Sequence, residues 1–286
     1  MRRRATTAVG ILITFLLVGC STPAPSAPPG TPAPSAASRT STPLPTTRTA
    51  TSPPPVTWQV GAHPLPRRPD GFGEILPTPP ELVNRALPTR DFLPPPPGDT
   101  YTSKIVPVPA DVLARSTWQA ACPVKSTDLR YVTLSFWGFD GRAHTGELLV
   151  NRTGAQAVVT VFGKLFADRF PLEEMRVTSP EELDAPPTGD GNDTSAFVCR
   201  PVRGETNWSA HAYGLAVDVN PFCNPYTKGS LVLPELASAY LDRSRVRPGM
   251  VVAGGPVVRD FAAVGWSWGG AWTSPVDRMH FTATGH

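Results

Sequence analysis

Histidine, cysteine and charge are all scarce in this chain of 286 residues, which has five histidines, four cysteines and 17% Asp, Glu, Lys and Arg. The cysteines, Cys20, Cys122, Cys199 and Cys223, form no C-x-x-C pair. That excludes a cysteine-based zinc site of the usual spacing. The apolar run from Ala8 to Val18, about eleven residues, falls short of the ~20 that a membrane-spanning helix needs. An excess of positive charge is missing too. The chain has 26 basic and 23 acidic residues, but Arg2, Arg3 and Arg4 precede Cys20 and no acid does, so the remainder balances at 23 against 23. Nothing supports nucleic-acid binding, which rests on a basic patch or stripe.

What is present at the start has the form of an address. A basic opening, an apolar run and the small-residue end Gly19-Cys20 are the parts of a secretory signal. Leu17-Val18-Gly19-Cys20 resembles the bacterial lipobox, whose cysteine becomes the acylated first residue. An ordinary signal with an incidental cysteine is the alternative. The cysteine directly after Gly19 and the flexible tract behind it favour the lipid. The expectation is a lipoprotein signal over residues 1–19, lipidation at Cys20, and an extracytoplasmic protein anchored to the bacterial cell membrane. Outside the cytoplasm disulfides persist, and the three remaining cysteines permit one bridge and one thiol. Cys122 with Cys199 is the favoured pairing, leaving Cys223, although sequence alone does not fix it.

Twenty-two of the 36 prolines precede residue 100. Residues 20–55 are Pro, Ser, Thr and Ala with almost no large apolar side chain, too little to offset the entropy of ordering. Such a tract is a semi-stiff spacer giving reach from the membrane, or a glycosylated stalk. Residues 56–99 form a Pro-rich arm with apolar anchors at Trp58, Phe72, Ile75, Leu76 and Phe92, draped over the domain that follows. Residues 100–286 suit one domain. Strand composition marks Leu129 to Trp137 and Thr145 to Asn151, with a turn at Gly138-Phe139-Asp140-Gly141. Leu215 to Val219 is a short apolar run holding one carboxylate. Helical spacing covers Ala155 to Leu165, Pro234 to Asp242 and Val257 to Val264. Strands and helices mixed without regular alternation imply an α+β fold.

The histidines are few enough to weigh singly. A catalytic zinc typically takes three ligands from His, Asp and Glu and keeps one position open. His211 lies in Ser209-Ala210-His211-Ala212-Tyr213-Gly214-Leu215-Ala216-Val217-Asp218. Asp218 is a carboxylate within an apolar strand, costly if buried without a partner. A metal ion would be one partner; alternation out to solvent is the other reading, and the segment alone leaves the two even. In Asp277-Arg278-Met279-His280-Phe281 an acid stands three residues before a histidine, a pattern that alone is as well explained by a packed core histidine.

Together the two segments point further. S-x-H-x-x-G-x-A-x-D from Ser209 to Asp218, then W-x-W-G-G-x-W and D-x-x-H-F, resembles the zinc D-Ala-D-Ala peptidase family. That family includes D,D-carboxypeptidases and dipeptidases and L-alanyl-D-glutamate endopeptidases. The similarity runs from about Trp118 to Phe281. It implies a small antiparallel sheet flanked by helices around a single zinc site, the hedgehog and D,D-peptidase arrangement. It implies Zn2+ held by His211, Asp218 and His280, with Asp277 as general base. Arg200 would steady the oxyanion, with Arg203 in reserve, and Ser209 would orient the first ligand or the substrate. The substrate would be peptidoglycan stem peptides, met by a monomer facing the cell wall. Zinc would lower the pKa of bound water from ~15.7 towards ~7.

Two positions depart from the pattern. Many relatives that cleave D-Ala-D-Ala have Glu where Asp277 stands, so Asp277 looks more like the endopeptidase branch. An acid often follows the H-F pair, where this chain has Thr282. Trp266, Trp268 and Trp272 offer flat walls for a peptide, with Trp268 taken as a substrate contact, while at least one of the three is expected to fill core instead. Gly269 and Gly270 would let backbone approach a ligand. His63, His144 and His286 are read as bystanders, and Glu147 and Asp193 as solvated or capping acids. The competing class is a wall-binding lipoprotein of the same fold without turnover. A lysostaphin-like peptidase is set aside because the chain has no H-x-H.

Overall fold

The computed structural model describes residues 58–202 and 205–285. The expected signal segment, Cys20 and the tract of residues 20–55 lie outside the described residues, as do Arg203 and His286. No helix among the described residues is long and apolar enough to cross a membrane.

After a one-turn helix in the arm, α1 (Pro80–Val83), come β1 (Ser103–Pro107), α2 (Ala110–Ala114) and the hairpin of β2 (Leu129–Gly138) and β3 (Ala143–Asn151). The hairpin pairs from Leu129 opposite Asn151 to Trp137 opposite Ala143. β1 runs antiparallel along β2, with Ile105 opposite Val132. The following helix, α3 (Ala155–Ala167), buries Ala155, Val158, Val159, Val161, Phe162, Leu165 and Phe166. That spacing of three and four gives one wide apolar face, which packs on the sheet. The helix ends in paired bonds, Phe170 N–H to the Leu165 carbonyl at 2.9 Å and Arg169 N–H to Phe166 at 3.1 Å. Arg169 takes the positive φ of 52° that glycine usually supplies there. Its guanidinium lies 4.0 Å from the Trp137 ring, a contact that favours this conformation.

Short elements complete the mixed α+β fold: β4 (Pro171–Leu172), β5 (Glu174–Met175), α4 (Pro180–Asp184) and β6 (Asp193–Thr194). Then follow β7 (Ala216–Asp218), β8 (Tyr226–Lys228), β9 (Leu231–Leu233), α5 (Pro256–Ala263), β10 (Ser267–Trp268), β11 (Val276–Asp277) and β12 (His280–Thr282). β4 extends the large sheet beside β2, β10-β12-β7 form a second sheet, β11-β8-β9 a third, and β5-β6 a two-stranded one. The main core lies between the hairpin, α3, α5 and the β7–β12 pair, with Phe162, Val217, Phe261 and Phe281 almost fully buried.

The hairpin, α3 and α5 stand where the sequence places them. Pro234 to Asp242 does not: only a 3-10 turn, Ser238–Leu241, forms there. Leu236 N–H bonds the Gly189 carbonyl at 3.0 Å, and Glu235 is buried, accepting from Gly73 N–H at 2.7 Å. These distant partners override local spacing. Glu147 is a second correction. Far from solvated, it is buried and receives Arg115 at 2.7 and 2.5 Å and the Tyr131 hydroxyl at 2.5 Å. Burial opposes its ionisation, but the bonds from Arg115 and Tyr131 outweigh that and hold its carboxyl below the ordinary range. Asp193 accepts from Arg176 N–H at 3.1 Å. His144 does sit at the hairpin end, but buried, its ring nitrogens 2.8 Å from Asp91 and 3.1 Å from Asp140.

The arm packs onto the domain and completes a second core. Leu82 and Leu87 bury against Phe222, Leu236, Tyr240 and Met250. Composition marked residue 100 as the start of compact structure, yet the packing reaches back to Trp58, whose indole N–H donates to Asp190 at 2.9 Å. Prolines in the arm lower the entropy lost on ordering, so few anchors suffice. The chief anchor is Arg85, fully buried, which grips Glu173 through two bonds of 2.5 and 2.6 Å and lies 4.4 Å from the Phe222 ring. Removing one partner of a buried pair strands the other charge. Arg85→Ala should therefore cost about 3–5 kcal/mol in denaturant unfolding; a loss within about 0.5 kcal/mol, the range of surface changes, would show the arm to be dispensable.

Candidate metal centre

His211 is carried by a 3-10 turn, Ala210–Tyr213, whose ends are set by its neighbours. Ser209 precedes it in extended conformation and its hydroxyl accepts from His211 N–H at 3.3 Å, an N-cap. Gly214 closes the turn at φ 66°, and a Cβ there would lie 2.7 Å from the backbone nitrogen of Asn151. Only glycine satisfies both conditions. The S-x-H-x-x-G spacing is thus a folded turn as well as a chemical motif. Ser209 acts on the first histidine through its backbone.

Asp218 and His280 come from β7 and β12, where they are direct antiparallel partners. Direct partners project to one side, while Val217 and Phe281, one step along each strand, are fully buried on the other. The three side chains meet. His280 Nδ1 lies 3.1 Å from Asp218 Oδ1 and 3.1 Å from His211 Nε2, and His211 Nε2 lies 3.3 Å from Asp218 Oδ2.

The protonation of His211 follows from its other side. Nδ1 is 2.5 Å from the Ala196 carbonyl, which can only accept, so Nδ1 carries the proton and Nε2 turns a lone pair towards the cluster. That is the outer-shell bond typical of metal-binding histidines. A tetrahedral ion with bonds of ~2.0–2.1 Å separates its ligand atoms by about 3.3 Å. The three observed spacings match. Burial opposes the ionisation of Asp218, but His211 and His280, where protonated, hold its carboxyl well below the ordinary range; a bound cation would take the place of those protons.

Asp277 stands at the edge of this cluster. Its carboxyl is pushed up to about 7, first by burial and then by the neighbouring Asp218 charge, with His280 and Arg200 opposing. Its Oδ1 is buried without a hydrogen-bond partner among the described residues. Arg200 donates to the Pro201 carbonyl at 3.1 Å. Arg200 directly follows Cys199, which is bonded to Cys122 with Cα atoms 5.8 Å apart. Cys223 remains a buried thiol.

The tryptophans divide. Trp266 is core. Trp268, read from the sequence as a substrate contact, donates its indole N–H to the Arg278 carbonyl at 2.8 Å and stacks near Phe281. It braces the Asp277 to His280 segment. Trp272 is the indole beside the cluster, its ring centre 5.5 Å from that of His280. Gly269 and Gly270 are needed for packing: a Cβ would meet the Asp277 carbonyl at 2.7 Å and the Trp268 ring at 2.2 Å respectively. Thr282 is fully buried and meets Thr284 Oγ1 at 2.9 Å, so an acid in its place would lack water. Sequence reasoning missed the Ala196 carbonyl, since a backbone group leaves no mark in residue identity.

These features define a protein with a three-residue group, two histidines and one aspartate, that could hold a metal ion. Residues 203–283 match a family model described as D-alanyl-D-alanine carboxypeptidase. The match contains His211, Asp218, Asp277 and His280, and it supports membership of that peptidase family. No curated protein and no solved structure matches the chain.

Asp277 generates a test without metal. A carboxyl whose folded pKa is raised favours folding below its ordinary pKa and loses that contribution as pH rises through the folded value. In metal-free protein Asp277→Asn should therefore be more stable than the parent at pH 8, by about 1–3 kcal/mol. The gap should shrink as pH falls from 7 towards 4. A gap independent of pH in thermal unfolding would show that Asp277 does not carry this strain.

Proposed function

We propose that the chain is a zinc metallopeptidase that hydrolyses peptide bonds of peptidoglycan stem peptides. The observation that carries the reading is the His211, Asp218 and His280 triad at coordination spacing, with the Asp277 carboxyl and its unpartnered oxygen beside it. Two imidazoles and one carboxylate suit Zn2+ among the common divalent ions. The matched family acts on D-alanyl-D-alanine, which belongs to stem peptides. Attachment through lipid at Cys20, with the 20–55 tract as spacer, is part of the same proposal, because it would hold a wall-cutting domain within reach of its substrate.

His211 Nε2, His280 Nδ1 and an Asp218 oxygen would hold the ion. When bound, zinc supplies a Lewis acid that polarises the scissile carbonyl and makes water nucleophilic near neutral pH. Asp277 takes the proton from the attacking water and passes it to the leaving amine, a task suited to a carboxyl whose pKa lies near the working pH. Arg200 shares the negative charge that develops on the carbonyl oxygen. The Ala196 carbonyl keeps His211 in the tautomer that binds. Trp272 walls the cleft beside His280.

Digestion of purified peptidoglycan, with the new termini identified by mass spectrometry, tests the reading and selects between the D-Ala-D-Ala and L-Ala-D-Glu bonds. His211→Ala should lose both zinc and cleavage. Asp277→Asn should keep stoichiometric zinc and lose about 10²–10⁴ in rate, and Arg200→Ala about 10²–10³. Zinc-dependent muropeptide binding with no new amine would identify the wall-binding alternative. Full cleavage after thorough chelation would end the proposal.

A further inference from the structure

Asp277 has a neighbour that the reading above leaves without a task. Tyr226, on β8, is the direct antiparallel partner of Asp277 on β11. Direct partners project to the same side with Cβ atoms about 4.5–5.5 Å apart, so the phenol stands on the face from which Asp277 addresses the cluster. Its ring is only partly buried, and among the described residues no hydrogen bond engages its hydroxyl. Other tyrosine hydroxyls that are partly or fully buried are engaged: Tyr101 donates to the Val159 carbonyl, Tyr131 to Glu147, and Tyr240 accepts from Arg85 N–H.

The position of Tyr226 is fixed from several sides. On the strand beyond, it faces Leu233. The strand itself is held by Arg278, whose guanidinium donates to the Pro225 carbonyl at 3.2 Å and to Thr227 Oγ1 at 3.3 Å. The charged groups that act on the phenol are Asp277 and Glu205, the latter in the segment between Arg200 and Ser209. Both are acids, and burial together with their charges keeps the hydroxyl protonated. An O–H donor held on a strand, with no acceptor among the described residues and beside the candidate centre, is what an extended peptide backbone can use. A bound peptide presents carbonyl acceptors at regular intervals, and an edge donor selects which one sits beside the reacting bond.

We propose that Tyr226 is a substrate-contacting residue of this centre, its hydroxyl donating to a backbone carbonyl of the bound stem peptide next to the scissile bond and so setting which bond meets Asp277. The contact stabilises the bound peptide in one register. It involves no proton transfer and asks nothing of the metal ligands. The inference rests on the peptidase reading, and the test separates the two.

Binding of a defined stem pentapeptide to the zinc-loaded full chain is measured by calorimetry in the Asp277→Asn background, where turnover is suppressed, and again with Tyr226→Phe added. Phenylalanine keeps the ring and the strand, so zinc content and thermal midpoint should match between the two proteins. The expected result is about tenfold weaker binding on losing the hydroxyl, the scale of one hydrogen bond. In otherwise unaltered protein, Tyr226→Phe should raise KM far more than it lowers kcat, and the cleavage products should include a second bond. Equal affinity with and without the hydroxyl, at equal zinc content, overturns the role of Tyr226 and leaves the peptidase reading intact. No binding in the Asp277→Asn background overturns the peptidase reading itself, and this inference with it.

Discussion

Pairing between β7 and β12 is the constraint on which the centre depends. The two strands place Val217 and Phe281 in the core and Asp218 and His280 on the opposite face. Strand alternation makes these one decision. A slip of one residue would turn the acid and the imidazole inward and expose the apolar pair. What resists the slip is apolar: Phe281 stacks on Phe261 at 3.9 Å, and Phe261 in turn packs against Phe162 and Trp266. Hydrophobic packing thereby fixes a polar geometry it does not touch. The cluster it creates gathers two imidazoles and a carboxylate within hydrogen-bond range. A cation bound there would be held by the folded state alone, which would link metal binding to folding stability.

How much of this can be read in the sequence depends on how local each cause is. The S-x-H-x-x-G segment was legible only through the family resemblance, although its cap, histidine and glycine all act within one turn. The hairpin of β2 and β3 was legible from composition, and so were α3 and α5 from apolar spacing. The second ligand pair was legible only as a pattern resemblance, since nothing near His280 announces that Asp218 lies across from it. Trp268 is less legible, because an indole beside glycines suits a cleft and a brace equally. The neighbour that engages its N–H, the Arg278 carbonyl, has no side-chain signature. Glu147 misled for a similar reason, its partners Arg115 and Tyr131 being 32 and 16 residues away. The arm shows the limit of composition. Proline density argues against regular structure, and the arm has little, yet one buried arginine and two leucines dock it.

The segment from Ser195 to Arg200 shows why a site can be recognisable while its support is not. Ser195 bridges Asp218, and the Ala196 carbonyl accepts a hydrogen bond from His211 Nδ1–H. Phe197 N–H bonds Leu149 in the scaffold hairpin and Val198 N–H bonds the His211 carbonyl. Cys199 closes the disulfide, and Arg200 leads into the cleft edge. This strip therefore joins the rigid hairpin to the first ligand, the second ligand and the arginine. Its hydrogen bonds are made mostly by backbone, while Ala196 and Phe197 are packed in the cores and Cys199 is bonded to Cys122. It also lies before residue 203, where the family match begins. The match follows residues whose side chains do chemistry or shape one turn. The support on which they rest is specified by main-chain geometry, and only a structure displays it.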